Sequence, residues 1–217
     1  MHYFEIVSNA RRWVRWAHES GDTMHGGQLY SFSIDALNRA DENQAAAIMD
    51  RIVERSAWLA HRAAAARPFE DVSHLAKSLE AEVRGLSQDE ALQLLCAHPE
   101  LCPPDPKLMT HASQREQDRL HLLGPDKDLA TKLADLNRRY FRRHGYPFII
   151  ALHAHSDLAD IIAQFEDRLV AATDEELDRS LGEVVSVMQA RLTEASARDA
   201  NAKAAGLSAL KAGNVTP

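Results

Sequence analysis

The chain has 217 residues, and 25 Lys+Arg against 32 Asp+Glu give a formal net charge of -7. Nucleic acid and anionic membranes would repel so acidic a chain, while 45% hydrophobic content is enough for a sizeable core. Nine glycines and eight prolines leave few turns, no apolar run is long enough to span a membrane, and Cys96 and Cys102 alone cannot form a thiolate zinc site or a secreted disulfide scaffold. These features predict a soluble, cytoplasmic, helical protein.

Apolar spacing follows a period of 3.6 almost throughout. Phe4, Val7, Trp13, Val14 and Ala17 can share one helical face, and Gly26-Gly27 is a flexible joint, so residues 1–28 read as an N-terminal helical extension and linker. Residues 31–67 read as two or three helices ended by Pro68. Asp71 caps a helix carrying Val72, Leu75, Leu79 and Val83, and Gly85 ends it. Ser87-Gln88-Asp89-Glu90 is a capping box for a helix that must stop near His98, because Pro99 follows. Pro103, Pro104 and Pro106 force an irregular loop. Ser113-Gln114-Arg115-Glu116 has capping-box spacing for a helix to about Leu123, and Asp126 to His144 is a long helix with Gly145 as its C-cap. Residues 146–152 are the only extended-looking stretch, too short and isolated for a sheet. Ser156-Asp157 opens a helix through Val170, and Thr173-Asp174-Glu175-Glu176 caps a last long one. The composition after Arg198 lacks bulky anchors, so 198–217 read as a flexible tail around a domain at 29–197.

Several positions invite chemistry, each with a plainer explanation. His153-x-His155 has a spacing seen in zinc sites, but no further ligand motif accompanies it, so no metal is expected. Arg138, Arg139, Arg142, Arg143 and His144 complement the dipole of the long helix as a solvated face. His98 sits where a helix ends before a proline-rich loop, a place that serves either a dipole partner or an imidazole facing a pocket. Ser113 and Glu116 could belong to a capping box, or to a helix start whose free N–H groups hold an anionic or carbonyl-rich ligand.

A series of blocks in order, from about residue 31 to 192, resembles one family. It runs from Glu54-Arg55-Ser56-Ala57-Trp58-Leu59-Ala60 and Arg67-Pro68-Phe69 to Ala97-His98-Pro99-Glu100-Leu101 and Ser113-Gln114-Arg115-Glu116-Gln117. Leu136-Asn137-x-x-Tyr140, Gly145-Tyr146-Pro147-Phe148-Ile149-Ile150 and Phe165-x-x-Arg168-Leu169 complete it. The series is similar to that of the OHCU decarboxylases (2-oxo-4-hydroxy-4-carboxy-5-ureidoimidazoline decarboxylases) of urate degradation. Departures are Ala57 for the usual proline, His144 where Phe is common, and Asp118-Arg119-Leu120-His121 in place of small residues.

The resemblance implies an all-α, single multi-helix domain, usually a homodimer, with one short extended segment lining the site. It implies a carboxy-lyase that converts OHCU to (S)-allantoin without metal or organic cofactor. By position, His98 is the general acid/base and Glu116 orients the substrate. Pro99, Ser113, Gln114, Arg115 and Gln117 line it, as do Pro147, Phe148, Ile149, Ile150 and Ala151. Arg168 either holds the substrate carboxylate or forms a salt bridge to Glu166 or the neighbours of Asp167. Two alternatives remain: a related enzyme acting on another small ureido or imidazoline carboxylate, favoured by Asp118 and Arg119, or a non-catalytic interaction module docking through Trp13 and Trp16.

Overall fold

The computed structural model describes residues 32–213, so the proposed extension at 1–28, with Trp13 and Trp16, lies outside the described residues. Among the described residues the structure is all-α and has no strand. In chain order the helices are α1 (Ile34–Arg39), α2 (Glu42–Val53), α3 (Ala57–Ala65), α4 (Val72–Arg84), α5 (Gln88–Cys96), α6 (His111–Asp118), α7 (Lys127–His144), α8 (Leu158–Leu169) and α9 (Thr173–Gly213). Short 3-10 turns lie at Pro106–Leu108 and Leu152–Ala154.

The described residues divide into two compact units, one of residues 32–82 and 188–213, the other of residues 83–187. In the first, α2 and α3 pack together and bury Met49, Ile52, Leu59, Ala60 and Ala63. The Arg-Pro-Phe block serves structure here. Arg67 donates from Nε to the Ala64 carbonyl at 2.7 Å and from Nη1 to the carbonyls of Leu37 and Ala40, satisfying helix-end acceptors. Asn38 pairs with both backbone groups of Phe69. Glu54, with a left-handed φ of 47°, accepts from Arg191 Nη1 at 2.5 Å in a buried ion pair. Ala57 occupies the first helical position of α3, where proline is tolerated because its missing N–H has no intrahelical partner. Alanine there is a neutral replacement.

The second unit carries the candidate site residues. Asp126 caps α7, and Gly145, at φ 87°, closes it in the left-handed conformation that glycine adopts without penalty. Tyr140 makes edge contacts with Tyr146, Phe148 and Phe165, and Phe148 stacks on Phe165 with centroids 3.9 Å apart. This aromatic core supports the residues after Gly145, which run without helix or strand from Pro147 to Ala151. Asp157 caps α8 as its sequence indicates. Helix α9 continues to Gly213, past the point where bulky anchors stop; its Ala- and Lys-rich end has high intrinsic helix propensity.

Candidate active site

His98 owes its position to two opposed signals. The reciprocal capping box of Ser87 and Glu90 starts α5, and Pro99 prevents its continuation. Just past the helix end, the half-buried His98 ring places Nδ1 2.9 Å from the Leu94 carbonyl. A carbonyl can only accept, so Nδ1 carries a proton, which in a neutral ring fixes the tautomer. The same contact satisfies an orphan carbonyl of the last turn. His98 is therefore both a helix-end partner and an imidazole of fixed tautomer.

The Ser113/Glu116 spacing is not a capping box. Thr110 is the N-cap of α6, its Oγ1 accepting the Ser113 N–H at 3.2 Å, and the helix runs His111–Asp118, ending short of Leu123. Thr110 outcompetes Ser113 because it stands one turn earlier with extended backbone, as an N-cap must. Ser113 and Gln117, four residues apart, share the buried face; Gln114 and Glu116 are half-buried and Arg115 is exposed. Gln114 donates to the Met109 carbonyl at 3.0 Å.

Gln117 joins the two halves of the predicted site. Its Oε1 accepts the Cys102 N–H at 2.8 Å, and its Nε2 donates to the Glu100 carbonyl at 2.9 Å and toward Met109 Sδ. The buried amide thus clamps the loop that begins at His98-Pro99 onto the helix that carries Glu116. Cys102 has a left-handed φ of 52°, and Gln117 holds that strained residue in place. Asn137, from the Leu-Asn-x-x-Tyr block, adds a bond to the Leu101 carbonyl at 2.8 Å.

The extended segment is attached to the same helix. Arg119, at the C-terminus of α6, donates from Nη2 to the carbonyls of Leu152 and of His155, the latter at 2.7 Å. Its guanidinium is directed at backbone, which explains the bulky residue at this departure from the family pattern. Phe148, Ile149, Ile150 and Ala151 are all buried, and Pro147 is half-buried. Ala151 N–H donates to Glu183 Oε2 at 2.8 Å. Among the described residues, the N–H groups of Phe148, Ile149 and Ile150 have no protein partner.

Arg168 is 1% exposed and paired with Glu176, its Nε and Nη2 lying 2.9 and 2.6 Å from Oε1. Nη2 also donates to Ser180 Oγ at 3.2 Å, and Tyr140 Oη donates to the same Glu176 oxygen. The ion pair is therefore with Glu176; Glu166 pairs instead with Lys132 and Asp167 with Arg179. Proximity in sequence misleads here, because Glu166 and Asp167 lie on the exposed side of α8 and Arg168 on the buried side. Burial and the Glu176 contact both push the Tyr140 phenol far above its ordinary range.

His144 separates from the basic run to which its sequence position assigns it. Arg138, Arg139, Arg142 and Arg143 are exposed, but His144 is buried 4.5 Å from the Tyr140 ring, and burial lowers its pKa. His155 pairs with Asp160 at 2.8 Å and His153 meets Ser186 at 3.3 Å. Among the described residues no group of three or more His, Cys, Asp or Glu could hold a metal ion, and no helix is long and apolar enough to cross a membrane. Burial raises the Cys96 thiol pKa to about 11, which makes it a poor nucleophile at neutral pH.

His98 and Glu116 thus sit on a loop and a helix that Gln117 ties together, and the backbone N–H groups of residues 148–150 have no protein partner among the described residues. A family model for OHCU decarboxylase matches residues 38–193. The chain is 31% identical to the 2-oxo-4-hydroxy-4-carboxy-5-ureidoimidazoline decarboxylase of Haloferax volcanii, over 76% of this chain and 97% of that protein. It is 30% identical to the uric acid degradation bifunctional protein of Bacillus subtilis, over 75% of this chain but only 32% of the longer protein. A crystal structure of (S)-allantoin synthase superposes with a TM-score of 0.56 and 26% identity, over 75% of this chain and 53% of that one. The chain belongs to the OHCU decarboxylase family.

Sequence reasoning missed Thr110, Glu176 and Glu183. A threonine three residues before Ser113 is a legible cap signal. The Thr173-Asp174-Glu175-Glu176 spacing marks Glu176 as a cap, but its carboxylate takes Arg168 and Tyr140 instead, and nothing local marks Glu183.

Proposed function

We propose that this protein decarboxylates OHCU to (S)-allantoin, with His98 as the general acid/base and Glu116 as the group that orients the substrate. The observation that carries the assignment of roles is the Gln117 clamp, which ties the His98 loop to the Glu116 helix. In the reaction the bond from the ring carbon to the carboxylate breaks and carbon dioxide leaves. The electron pair moves into the adjacent ring C=N, whose nitrogen gains a proton. The resulting enol loses its hydroxyl proton as the ureido-bearing carbon gains one on a single face. The ring is its own electron sink, so the protein has to orient the carboxylate out of the ring plane, stabilise the developing charge and direct the proton.

Nε2 of His98 suits the last task, since imidazole exchanges protons near neutral pH and this ring is held in one tautomer. Glu116 accepts hydrogen bonds from the substrate hydroxyl or ring N–H. Pro99, Ser113, Gln114 and the segment 147–151 line the substrate. The unpaired N–H groups of residues 148–150 match the carbonyl-rich ureido group, because buried backbone donors need acceptors. Gln117 acts by holding the loop, Arg115 at the exposed rim. The Arg119 bonds to backbone favour OHCU over an altered substrate. A cytoplasmic homodimer completes the proposal; light scattering on purified protein tests the dimer and expects twice the chain mass.

Generating OHCU from urate in the cuvette and following circular dichroism tests the activity. The uncatalysed course ends in racemic allantoin. The active enzyme gives a faster rise of one sign, assigned to the (S) product, whereas an interaction module leaves the course unchanged.

A further inference from the structure

The extended segment is held at both ends by one cluster of charges. At its start the guanidinium carbon of Arg168 lies 4.5 Å from the Phe148 ring centroid, with Phe165 stacked beside that ring. At its end Glu183 Oε2 accepts the buried Ala151 N–H at 2.8 Å. The two anchors are themselves linked, since Glu183 Oε1 is 3.6 Å from Arg168 Nη1. A solvent-exposed loop would need none of this. Between the anchors lie Ile149 and Ile150, whose N–H groups have no protein partner among the described residues.

We infer that Glu183 is a positioning residue, which fixes the Ala151 amide so that the 149–150 backbone meets a ureido-bearing ligand in one register. The inference rests on the decarboxylase reading and adds to it a residue that does not touch substrate. An acceptor at position 183 is required by geometry. The negative charge serves mainly the Arg168 link, so a neutral acceptor retains much of the effect.

The test compares Glu183→Leu, Glu183→Gln and Ala151→Pro, with KM and kcat measured on OHCU generated in situ and hydrogen exchange followed over residues 147–152. Ala151→Pro deletes the same hydrogen bond from the donor side, and the native φ of -74° accommodates proline. Glu183→Leu and Ala151→Pro should each raise KM about tenfold or more, roughly what losing one hydrogen bond allows, with kcat falling less than KM rises. Exchange over 147–152 should accelerate in Glu183→Leu, and Glu183→Gln should stay within about threefold of the parent in KM. If Glu183→Leu fails to fold, the contrast between Ala151→Pro and Glu183→Gln decides. Equal KM values in those two, or a Leu variant with unchanged KM and exchange, overturn the role of Glu183 while stereoselective turnover by the parent leaves the decarboxylase reading standing. Racemic product from the parent protein overturns both.

Discussion

At the residue scale the site depends on groups whose hydrogen bonds determine what remains for substrate. The Leu94 carbonyl accepts from Nδ1 of His98, which orients the imidazole ring. Glu116→Gln keeps an acceptor and removes the charge. We expect kcat/KM to fall about ten- to hundredfold, the range for losing charge assistance in one hydrogen bond; unchanged turnover would remove Glu116 from the mechanism. Arg168 shows where sequence stops being legible. Its identity and family position were visible, but its partner, Glu176, is one helix further on and is chosen by burial. A buried guanidinium needs compensating acceptors, and α9 supplies them.

At the element scale, helix ends and tethers matter more than helix interiors. The caps Asp71, Ser87, Asp126 and Asp157 act as N-caps, because capping chemistry is local and therefore readable. Thr110 against Ser113 marks the limit: two candidate caps three residues apart are separated only by backbone conformation. The tethers are non-local and were unreadable. Gln117→Leu leaves the Cys102 N–H and Glu100 carbonyl without their partner. The expected loss is about 1–3 kcal/mol in urea denaturation, together with a larger fractional loss of activity as the His98 loop loosens; a variant of parental stability would show that the clamp is not needed. Arg119→Gln should lower stability by about 1 kcal/mol, the scale of a part-exposed hydrogen bond, and should leave the product enantiomer unchanged. A switched or lost stereochemical preference in that variant would place Arg119 at the substrate after all.

At the scale of the whole molecule, the helical class was evident from period and from the scarcity of glycine and proline, and the order of blocks gave the family. The division into two compact units was not evident, since no linker composition marks residues 82–83 or 187–188. Nor was the burial of His144, which a run of arginines disguises. Burial lowers its pKa below the ordinary 6.5, with Glu176 pulling the other way. The folded protein therefore favours the neutral ring, and between the folded and unfolded pKa values the unfolded chain binds more protons. The stabilisation this allows is present above about pH 6.5 and is lost as pH falls toward the folded value. His144→Phe should flatten the decline in melting temperature between about pH 7 and 5; an unaltered slope would assign the decline to other groups.

The most direct test of the central claim is the enantiomeric composition of allantoin formed from in situ OHCU by His98→Ala, measured beside the parent at matched far-UV dichroism. The account predicts nearly pure (S) product from the parent and, from the variant, a rate lower by about 10²–10⁴-fold, so that racemic product dominates. A folded variant that still gives the (S) enantiomer at the parental rate would contradict it.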